Sequence, residues 1–332
     1  MELIDNFGRR HDYLRISLTD RCNLNCSYCN PLTLKTKYID KEEILTLEEI
    51  GRLVKIFAEF FNVKKVRFTG GEPLARKGFV SFISGLRELK NKYGFKTAIT
   101  TNGVLLADNI TEIFESGIDH VNISLDSLNP NTFKKITGKN DHHKVLHAIY
   151  RAKELSFDKL KINCVVMRGV NDNEIIPFAD FAAKHDFNVR FIEYMPFTNN
   201  GWNEGSFINS AQIKKIIETK YRLVESPEKG SVSNDYFIKG KKGEISFISS
   251  ISDHFCNTCR RLRITATGGL RLCLFSEEKQ EVDLKPYIRD NSISDFEIAE
   301  EIMGFVKTKW EKHPAASELV KLDYNYMLRN GG

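Results

Sequence analysis

Six of the seven cysteines fall into two groups of three, and this grouping is the first indication of chemistry in the sequence. The groups are Cys22, Cys26 and Cys29, and Cys256, Cys259 and Cys273. An odd total, in a chain of 332 residues that is long enough to bury a full core, argues against a disulfide framework and for metal ligation. The seventh cysteine, Cys164, lies in an apolar run and is predicted to be a buried core residue.

The first group has the spacing Cys-x3-Cys-x2-Cys and directly follows a predicted strand, Tyr13 to Leu18. A structural zinc site takes four ligands, and no fourth His or Cys follows nearby in the sequence. A four-iron cluster that only carries electrons also takes four cysteines. Three cysteines on such a cluster would leave one iron open to another ligand. A chance triplet or a three-thiolate zinc site is the alternative.

The second group has the spacing Cys-x2-Cys-x13-Cys across a predicted hairpin. Spacing alone leaves two kinds of site open, a zinc ribbon with His254 as fourth ligand and an iron-sulfur cluster. Arg261 and Arg263 lie two apart, hence on one face of a strand, with Arg260 and Arg271 nearby. Guanidinium groups so placed favour a polyphosphate ligand, because each can make bidentate contacts to phosphate oxygens. A solvated basic strand is the alternative.

The first part of the chain alternates short β-branched or aromatic runs with segments of helical periodicity. The predicted strands are Tyr13 to Leu18, Lys65 to Thr69, Lys96 to Thr100, His120 to Leu125, Lys161 to Val166 and Val189 to Tyr194. One helix begins at Thr46, with Glu49 in a capping box. The other predicted helices are Phe79 to Tyr93, Asn109 to Ser116, His143 to Leu155 and Glu174 to His185. Successive strand-helix units imply a parallel sheet, and six of them, rather than eight, favour an incomplete (β/α)6 barrel of the TIM type.

After Pro196 the pattern changes to hairpins, over Phe237 to Ser249 and Arg261 to Phe275, followed by a helix from Asp295 through Trp310. We therefore predict an α/β protein with two regions. Residues 1–196 would form the partial barrel with the first cysteine group. Residues 197–332 would form an α+β region that covers the open side and carries the second cysteine group and the substrate-binding arginines.

Composition adds limits but no identity. The formal net charge of +5 is small for this length, so composition alone gives a weak case for a nucleic-acid partner and none for a membrane. No run approaches the about 20 apolar residues needed to span a bilayer, and Met1 to Arg10 is too charged for a signal peptide. We expect a soluble, cytoplasmic protein.

The segment Cys22-Asn-Leu-Asn-Cys26-Ser-Tyr28-Cys29 resembles the signature of radical S-adenosylmethionine (SAM) enzymes. This resemblance implies a [4Fe-4S] cluster whose open iron chelates the methionine part of SAM, and reductive cleavage of SAM to a 5'-deoxyadenosyl radical. The second strand ends in Thr69-Gly-Gly-Glu-Pro73, which resembles the element that binds the methionine amino group. The cofactor-binding residues implied in this way are Tyr28, Gly70, Gly71, Glu72, Ser124 and Met195.

With both triplets and Arg261-x-Arg263, the chain is similar, from Gly8-Arg9 to Gly331-Gly332, to the GTP-cyclising family of this superfamily, which begins molybdenum cofactor biosynthesis. The resemblance implies a second [4Fe-4S] cluster on Cys256, Cys259 and Cys273, with an iron that binds guanine. The substrate-binding residues so implied are Arg15, Arg67, Thr100, Lys161, Arg261 and Arg263. The residues given a part in catalysis are Arg15, Lys65, Arg67, Arg190, Arg261 and Arg263.

The reaction implied is removal of hydrogen from C3' of GTP, followed by attack on C8 of guanine, to give (8S)-3',8-cyclo-7,8-dihydroguanosine 5'-triphosphate. The resemblance also implies a homodimer and a downstream enzyme, molybdenum cofactor biosynthesis protein C, that forms cyclic pyranopterin monophosphate. It implies that Gly331-Gly332 enters the active site. Asn30 departs from the family, which commonly has Met there, and Lys161 is placed least securely because it opens its predicted strand.

Two alternatives are kept. One is a different radical SAM enzyme, such as a peptide maturase, whose second cluster only transfers electrons. The other is a zinc-bearing nucleic-acid binding protein, which would carry a dispersed basic face with interleaved aromatic residues. The placement of Arg15 and Arg67 on predicted barrel strands favours a pocket.

Overall fold

The computed structural model describes residues 1–29, 38–197, 199–227, 232–277 and 280–321. Its strands are β1 Tyr13–Ser17, β2 Lys65–Thr69, β3 Lys96–Thr101, β4 His120–Ser124, β5 Lys159–Val166, β6 Asn188–Glu193, β7 Leu223–Glu225, β8 Asn234–Ile238, β9 Glu244–Ile248, β10 Arg261–Ile264, β11 Gly269–Arg271 and β12 Val282–Asp283. Its α-helices are α1 Leu47–Phe61, α2 Phe79–Gly85, α3 Arg87–Tyr93, α4 Leu106–Glu115, α5 Pro130–Thr137, α6 His142–Glu154, α7 Ile175–His185, α8 Ser210–Glu218, α9 Lys285–Arg289, α10 Asp295–Val306 and α11 Ala316–Leu319.

These strands form one sheet of order β12-β11-β10-β1-β2-β3-β4-β5-β6-β9-β8-β7. β1 to β6 are parallel and each pairs with the next along the chain. The sheet is open, because β1 pairs with β10 on its outer side and β6 pairs with β9. The predicted α/β class and incomplete six-unit barrel are confirmed.

The C-terminal strands extend this sheet at both edges. β10 and β9 join parallel to the barrel strands, and β11 and β8 then turn back antiparallel to them, as the two predicted hairpins require. The sequence did not predict that these hairpins would continue the barrel sheet. The boundary between residues 196 and 197 stays a prediction, since strands from both sides of it share one sheet.

The pleat of β1 separates two environments. Leu14 and Ile16 are 1% and 0% exposed and belong to the main hydrophobic cluster, together with Leu53 and Phe57 of α1. Arg15 points to the other face, because successive side chains of a strand alternate. The strand register sets Arg15 beside Arg67 of β2 and Arg263 of β10. All three arginines therefore lie on the face of the sheet opposite the helix-packed core.

One local prediction is confirmed and two others need adjustment. The capping box of Thr46 and Glu49 is confirmed, with hydrogen bonds in both directions. The single helix predicted over Phe79 to Tyr93 is two helices, α2 and α3, which break at Leu86 after the weak helix former Gly85. Lys161 lies inside β5 and does not open it, because Lys159 already pairs with His120 of β4. In the described part of the chain, no helix is both long and apolar enough to cross a membrane.

Glu193 joins the end of β6 to two later segments. Its side chain is fully buried, and its carboxylate accepts hydrogen bonds from the backbone N–H of Ser210 at 2.8 Å, of Ile251 at 2.9 Å and of Ser252 at 2.9 Å. Ser210 begins α8, and the other two lie just before the second cysteine group. One buried carboxylate therefore fixes where that group begins relative to the barrel.

We expect Glu193→Leu to lower the free energy of unfolding by at least about 3 kcal/mol, because it leaves three buried N–H groups without an acceptor, each at a cost of ~1–3 kcal/mol. Urea denaturation followed by far-UV circular dichroism measures this. Glu218→Leu, at an exposed position of α8, is the control and should change stability little. Equal effects of the two substitutions would contradict this account.

Candidate active site

The first cysteine group lies in the loop that follows β1, at the edge of the sheet where the parallel strands end. The backbone N–H of Asn25 donates to the carbonyl of Thr137 at 3.0 Å, and that of Ser27 donates to Ile136 at 2.9 Å. Both acceptors lie at the end of α5, which the sequence did not predict. This helix therefore anchors the loop between the first and third cysteines.

The three thiols of this loop are in a common, half-buried environment. Burial raises the pKa of Cys22 to about 11, that of Cys29 to about 12 and that of Cys26 well above its usual value. The negative charges of the other cysteines and of Asp126 act on the Cys26 thiol in the same direction. Thiols that resist ionisation alone need a positively charged partner to become thiolates, as a metal site provides.

Hydrogen bonds and spacing favour a metal cluster there. The N–H of Leu24 and the side-chain amide of Asn102 each lie 3.5 Å from Sγ of Cys22, as donors to a thiolate would. Within the residues that the structure describes, no three His, Cys, Asp or Glu side chains are arranged to hold a single metal ion. Thiol donors with the spacing Cys-x3-Cys-x2-Cys suit an iron-sulfur cluster.

Gly70 and Gly71 at the end of β2 pack against the cysteine loop itself. A Cβ on Gly71 would lie 2.3 Å from the carbonyl oxygen of Arg21, and one on Gly70, whose φ is 144°, would lie 2.5 Å from that of Thr19. The N–H of Gly71 donates to Thr19 at 2.7 Å. The close approach that the sequence predicted is thus an approach to protein backbone, and contact of these glycines with a cofactor stays a prediction.

Glu72 connects the ends of β2 and β3. It is fully buried, its carboxylate accepts from the Thr101 hydroxyl and the Asn102 N–H, both at 2.8 Å, and burial raises its pKa to about 7. The Asn102 side chain in turn donates to Oδ1 of Asn23, in the cysteine loop, at 2.8 Å. Sequence reasoning missed Asn102, although the polar Thr101-Asn102 pair follows a strand at the active-site edge.

Tyr28 is fixed at the end of β4. Its hydroxyl donates to the carboxylate of Asp126 at 2.8 Å, which also accepts from the backbone N–H of Val165 at 2.8 Å. Burial raises the pKa of Asp126 to about 6. Ser124, the last residue of β4, lies two residues earlier and pairs with Asn163 of β5. Asp126 was also missed, and its position two residues after Ser124 was the available signal.

Met195 has neighbours beside both cysteine groups. It packs against a small apolar cluster that contains Phe275 and contacts Cys273. Its carbonyl accepts from the side-chain amide of Asn200 at 2.9 Å, and the same amide donates to the carbonyl of Tyr28 at 3.3 Å. The end of β6 is thereby attached to the first cysteine loop.

A group of cationic side chains lines the inner face of the barrel. Its members, which we call the basic cavity, are Arg15, Lys65, Arg67, Lys161, Arg190, Arg261 and Arg263. Arg190 of β6 interacts electrostatically with Arg67 of β2 and Arg261 of β10, which are far from it in sheet order. The sheet therefore curves enough to bring these strands face to face.

The basic cavity carries strong, partly unbalanced positive charge. Burial and neighbouring cations lower the pKa values of Arg15 and Arg190 to about 10 and those of Lys65 and Lys161 to about 8. Burial alone would raise the pKa of Tyr13, but Arg67, Arg15 and Lys65 lower it to about 7. A polyanion would relieve this mutual repulsion.

Existing hydrogen bonds orient part of this set. Arg67 donates to the Tyr13 hydroxyl at 2.7 Å, to the carbonyl of Ile99 at 2.6 Å and to the hydroxyl of Thr100 at 3.1 Å. Lys161 lies 3.7 Å from the carboxylate of Asp235 on β8. Among the described residues, Nε of Arg190 and Nε of Arg261 have no hydrogen-bond partner, so each has a donor available to a ligand.

The second cysteine group lies beside this cavity. Cys256 begins a short 3-10 turn, Cys259 ends it two residues before β10, and Cys273 follows β11. Burial would raise the pKa of Cys259, but the positive charges of Arg261 and Lys309 lower it to about 6. Burial raises the pKa of Cys256, and the other two thiols act in the same direction. The three thiols are therefore close neighbours in an electropositive environment.

His254 is the residue that would complete a zinc ribbon in this group. It is exposed, and its ring contacts that of His313, with 5.1 Å between centroids. Cys164 is 2% exposed within the hydrophobic cluster, which confirms its predicted place in the core. Asn30 and Gly331-Gly332 lie outside the described residues.

Gly71→Ala should destabilise the protein by about 2 kcal/mol or more and reduce the iron bound at the first cysteine group, because the new methyl group would overlap the backbone of Arg21. The thermal unfolding midpoint and the iron content after anaerobic reconstitution measure these effects. Gly85→Ala is the control, since a Cβ there meets nothing within 4 Å and alanine favours the helix. A Gly71→Ala protein as stable and as rich in iron as the control would refute the steric argument.

Comparison with known folds and sequences agrees with this geometry. Two solved structures share the fold. The first is SuiB from Streptococcus suis bound to S-adenosylmethionine, with a TM-score of 0.64 and 15% identity; the comparison covers 91% of this chain and 69% of that one. The second is native anSMEcpe with bound AdoMet, with a TM-score of 0.59 and 18% identity; the comparison covers 94% of this chain and 84% of that one. Residues 16–182 match the Radical SAM superfamily, and residues 187–315 match the family described as Molybdenum Cofactor Synthesis C.

Sequence relatives define the family more narrowly. The chain is 42% identical over 316 residues to the GTP 3',8-cyclase of Syntrophomonas wolfei, an alignment that covers 94% of each protein. It is 40% identical over 329 residues to the human protein named molybdenum cofactor biosynthesis protein 1. That alignment covers 98% of this chain and 50% of the human protein. The chain spans about half the length of this and similar longer relatives. It therefore belongs to the radical SAM superfamily and, within it, to the GTP 3',8-cyclase family associated with molybdenum cofactor biosynthesis.

Proposed function

We propose that this protein converts GTP to (8S)-3',8-cyclo-7,8-dihydroguanosine 5'-triphosphate by radical chemistry. The observation that carries the proposal is the basic cavity, whose arginines on β10 adjoin the second group of three thiols. Its buried and half-buried cations suit a triphosphate in the sign of their charge. Relatives of similar length that are named GTP 3',8-cyclase support the choice of substrate.

Membership of the superfamily implies one [4Fe-4S] cluster and SAM. When reduced, such a cluster supplies the electron that cleaves SAM and yields a 5'-deoxyadenosyl radical. In this chain Cys22, Cys26 and Cys29 would hold the cluster. The residues proposed to bind SAM are Tyr28, Gly70, Gly71, Glu72, Ser124 and Met195. Asp126 and Asn102, through their hydrogen bonds to Tyr28 and to the cysteine loop, would keep this end of the cavity rigid.

The second cysteine group would hold a second [4Fe-4S] cluster with three protein ligands and an iron available to guanine. Support comes from its three neighbouring thiols and from the electropositive environment that favours the thiolate of Cys259. Arg261 is two residues from that cysteine and also faces the basic cavity. A guanine bound at the cluster would then leave its triphosphate within the cavity.

Arg15, Arg67, Arg261 and Arg263 would bind the triphosphate, since rigid guanidinium groups suit bidentate contacts to phosphate oxygens. Lys65, Lys161 and Arg190 would complete the charge balance, and Thr100 would contact the substrate from β3. Of these, Lys65 and Lys161 have pKa values near 8. Either could therefore also donate a proton to the species formed when the product radical is reduced. We also propose a homodimer and transfer of the product to molybdenum cofactor biosynthesis protein C.

Anaerobically purified and reconstituted protein should contain roughly eight irons and eight sulfides per chain if both groups hold four-iron clusters. With reductant, SAM and GTP, it should consume GTP and form 5'-deoxyadenosine and the cyclised nucleotide, as separated by liquid chromatography and mass spectrometry. Failure of GTP to increase 5'-deoxyadenosine formation, or to be consumed, would favour a different radical SAM enzyme. Colourless protein with stoichiometric zinc would instead favour the nucleic-acid binding alternative.

Arg261→Ala and Arg263→Ala should each weaken GTP binding about 10- to 100-fold, the loss expected for a charged hydrogen-bonded contact of ~1.5–3 kcal/mol. Isothermal titration with GTP measures this, and cleavage of SAM without GTP should persist. Arg260→Ala is the matched control, because Arg260 is exposed and pairs with Asp12. If all three variants bound GTP equally well, the cavity arginines would have no part in recognition.

GTP affinity should also fall as the pH rises above 8, by up to about tenfold between pH 8 and pH 9 for each lysine that must be protonated. The pKa values of Lys65 and Lys161 are near 8, so their positive charge is present below that pH and is lost above it. The double variant Lys65→Arg with Lys161→Arg keeps its charge and should show a flatter profile. A wild-type affinity that is constant from pH 7 to pH 9 would exclude these lysines as phosphate ligands.

A further inference from the structure

Lys309 is a buried cation outside the residues assigned above. It follows α10 and is 5% exposed. Its ammonium donates to the carbonyl of Arg261 at 3.3 Å and to the carbonyl of Leu272. Arg261 lies two residues after Cys259, and Leu272 directly precedes Cys273. One side chain therefore fixes the backbone beside two of the three cysteines of the second group.

Arg9, near the N-terminus, fixes the backbone at the remaining cysteine of this group, Cys256. Its guanidinium donates to the carbonyl of Cys256 at 2.7 Å and to those of Trp310 and Glu311 at 2.5 and 2.6 Å. The last two residues directly follow Lys309 in the chain. The carboxylate of Asp5 holds Arg9 in place through a 2.6 Å ion pair in which both side chains are buried.

These contacts place two buried cations on the backbone of all three cysteine-bearing segments. A buried ammonium costs free energy unless it is paired or fully hydrogen-bonded. Carbonyl contacts alone do not balance the charge of Lys309, so it needs a negatively charged neighbour. Cys259 and Cys273, which lie beside the two carbonyls that Lys309 holds, would supply that charge as thiolates. Neutral thiols would leave it without a counter-charge.

We infer that Lys309 is a positioning residue for the second cysteine group, which it holds in a cluster-binding arrangement while it sets the reduction potential of the bound cluster. The inference rests on the second [4Fe-4S] cluster proposed above. Reduction adds negative charge to a cluster, and a fixed buried cation beside two of its ligands stabilises the reduced form. Lys309 therefore makes the second cluster easier to reduce, and Arg9 keeps the segment that carries Lys309 against Cys256.

The test uses full-length protein in which Cys22, Cys26 and Cys29 are replaced by Ala, so that only the second cluster contributes iron. After anaerobic reconstitution, this background should bind roughly four irons per chain. Lys309→Gln, which keeps a donor for the two carbonyls but removes the charge, should keep most of the iron and shift the midpoint potential to a more negative value. Lys309→Met removes donor and charge and should lose at least half of the iron.

Two further variants separate this role from general stability. Lys309→Arg should restore iron content and potential, and Lys312→Met, at an exposed position three residues away, should leave both unchanged. Potentials are read by electron paramagnetic resonance during a redox titration, and circular dichroism checks folding. A Lys309→Gln protein with the potential of the background would overturn the inference while the proposed cluster stands. A background that binds no iron would instead overturn the second cluster, and the inference with it.

Discussion

Burial of several like charges inside one open barrel is the constraint around which this protein is organised. Arg15, Arg67 and Arg263 stand side by side on three adjacent strands, and burial lowers the pKa values of Arg15 and Arg263. Such an arrangement opposes folding, since desolvation and mutual repulsion both disfavour it. It persists because the opposite faces of the same strands supply apolar core, as Leu14 and Ile16 do. Stability on one side of the sheet thus supports a charged binding surface on the other.

The edges of the cavity are fixed by buried polar groups that hold backbone. Glu72, Asp126 and Glu193 each follow or end a barrel strand, and each accepts hydrogen bonds from backbone N–H groups of another segment. On the C-terminal side, Arg9 and Lys309 hold backbone carbonyls in a complementary way. Loops that follow parallel strands would otherwise be the least constrained parts of the barrel. These hydrogen bonds fix the position of each cysteine segment relative to the sheet.

Sequence patterns predicted the barrel and the cysteine groups, because both depend on local periodicity and spacing. The six parallel strands agree with prediction to within about two residues at each end. What could not be predicted depends on contacts between distant segments. The joining of β9 and β10 to opposite edges of one sheet, and the contact of Arg9 with Cys256, have no local signature. Asn102, Asp126 and Lys309 were missed for the same reason, since a polar residue after a strand or helix is common and only its partners make it informative.

The two cysteine groups have the same ligands but opposite electrostatic surroundings. Near the first group lie the carboxylates of Glu72 and Asp126, whose charges disfavour the thiolates of Cys22 and Cys26. Near the second lie Arg261 and Lys309, which favour the thiolate of Cys259. Clusters bound at the two sites, as proposed, would feel the same fields, and negative surroundings lower a reduction potential while positive surroundings raise it. If clusters bind as proposed, the surroundings of the first site would favour a strongly reducing cluster, and those of the second would favour a cluster that is easier to reduce.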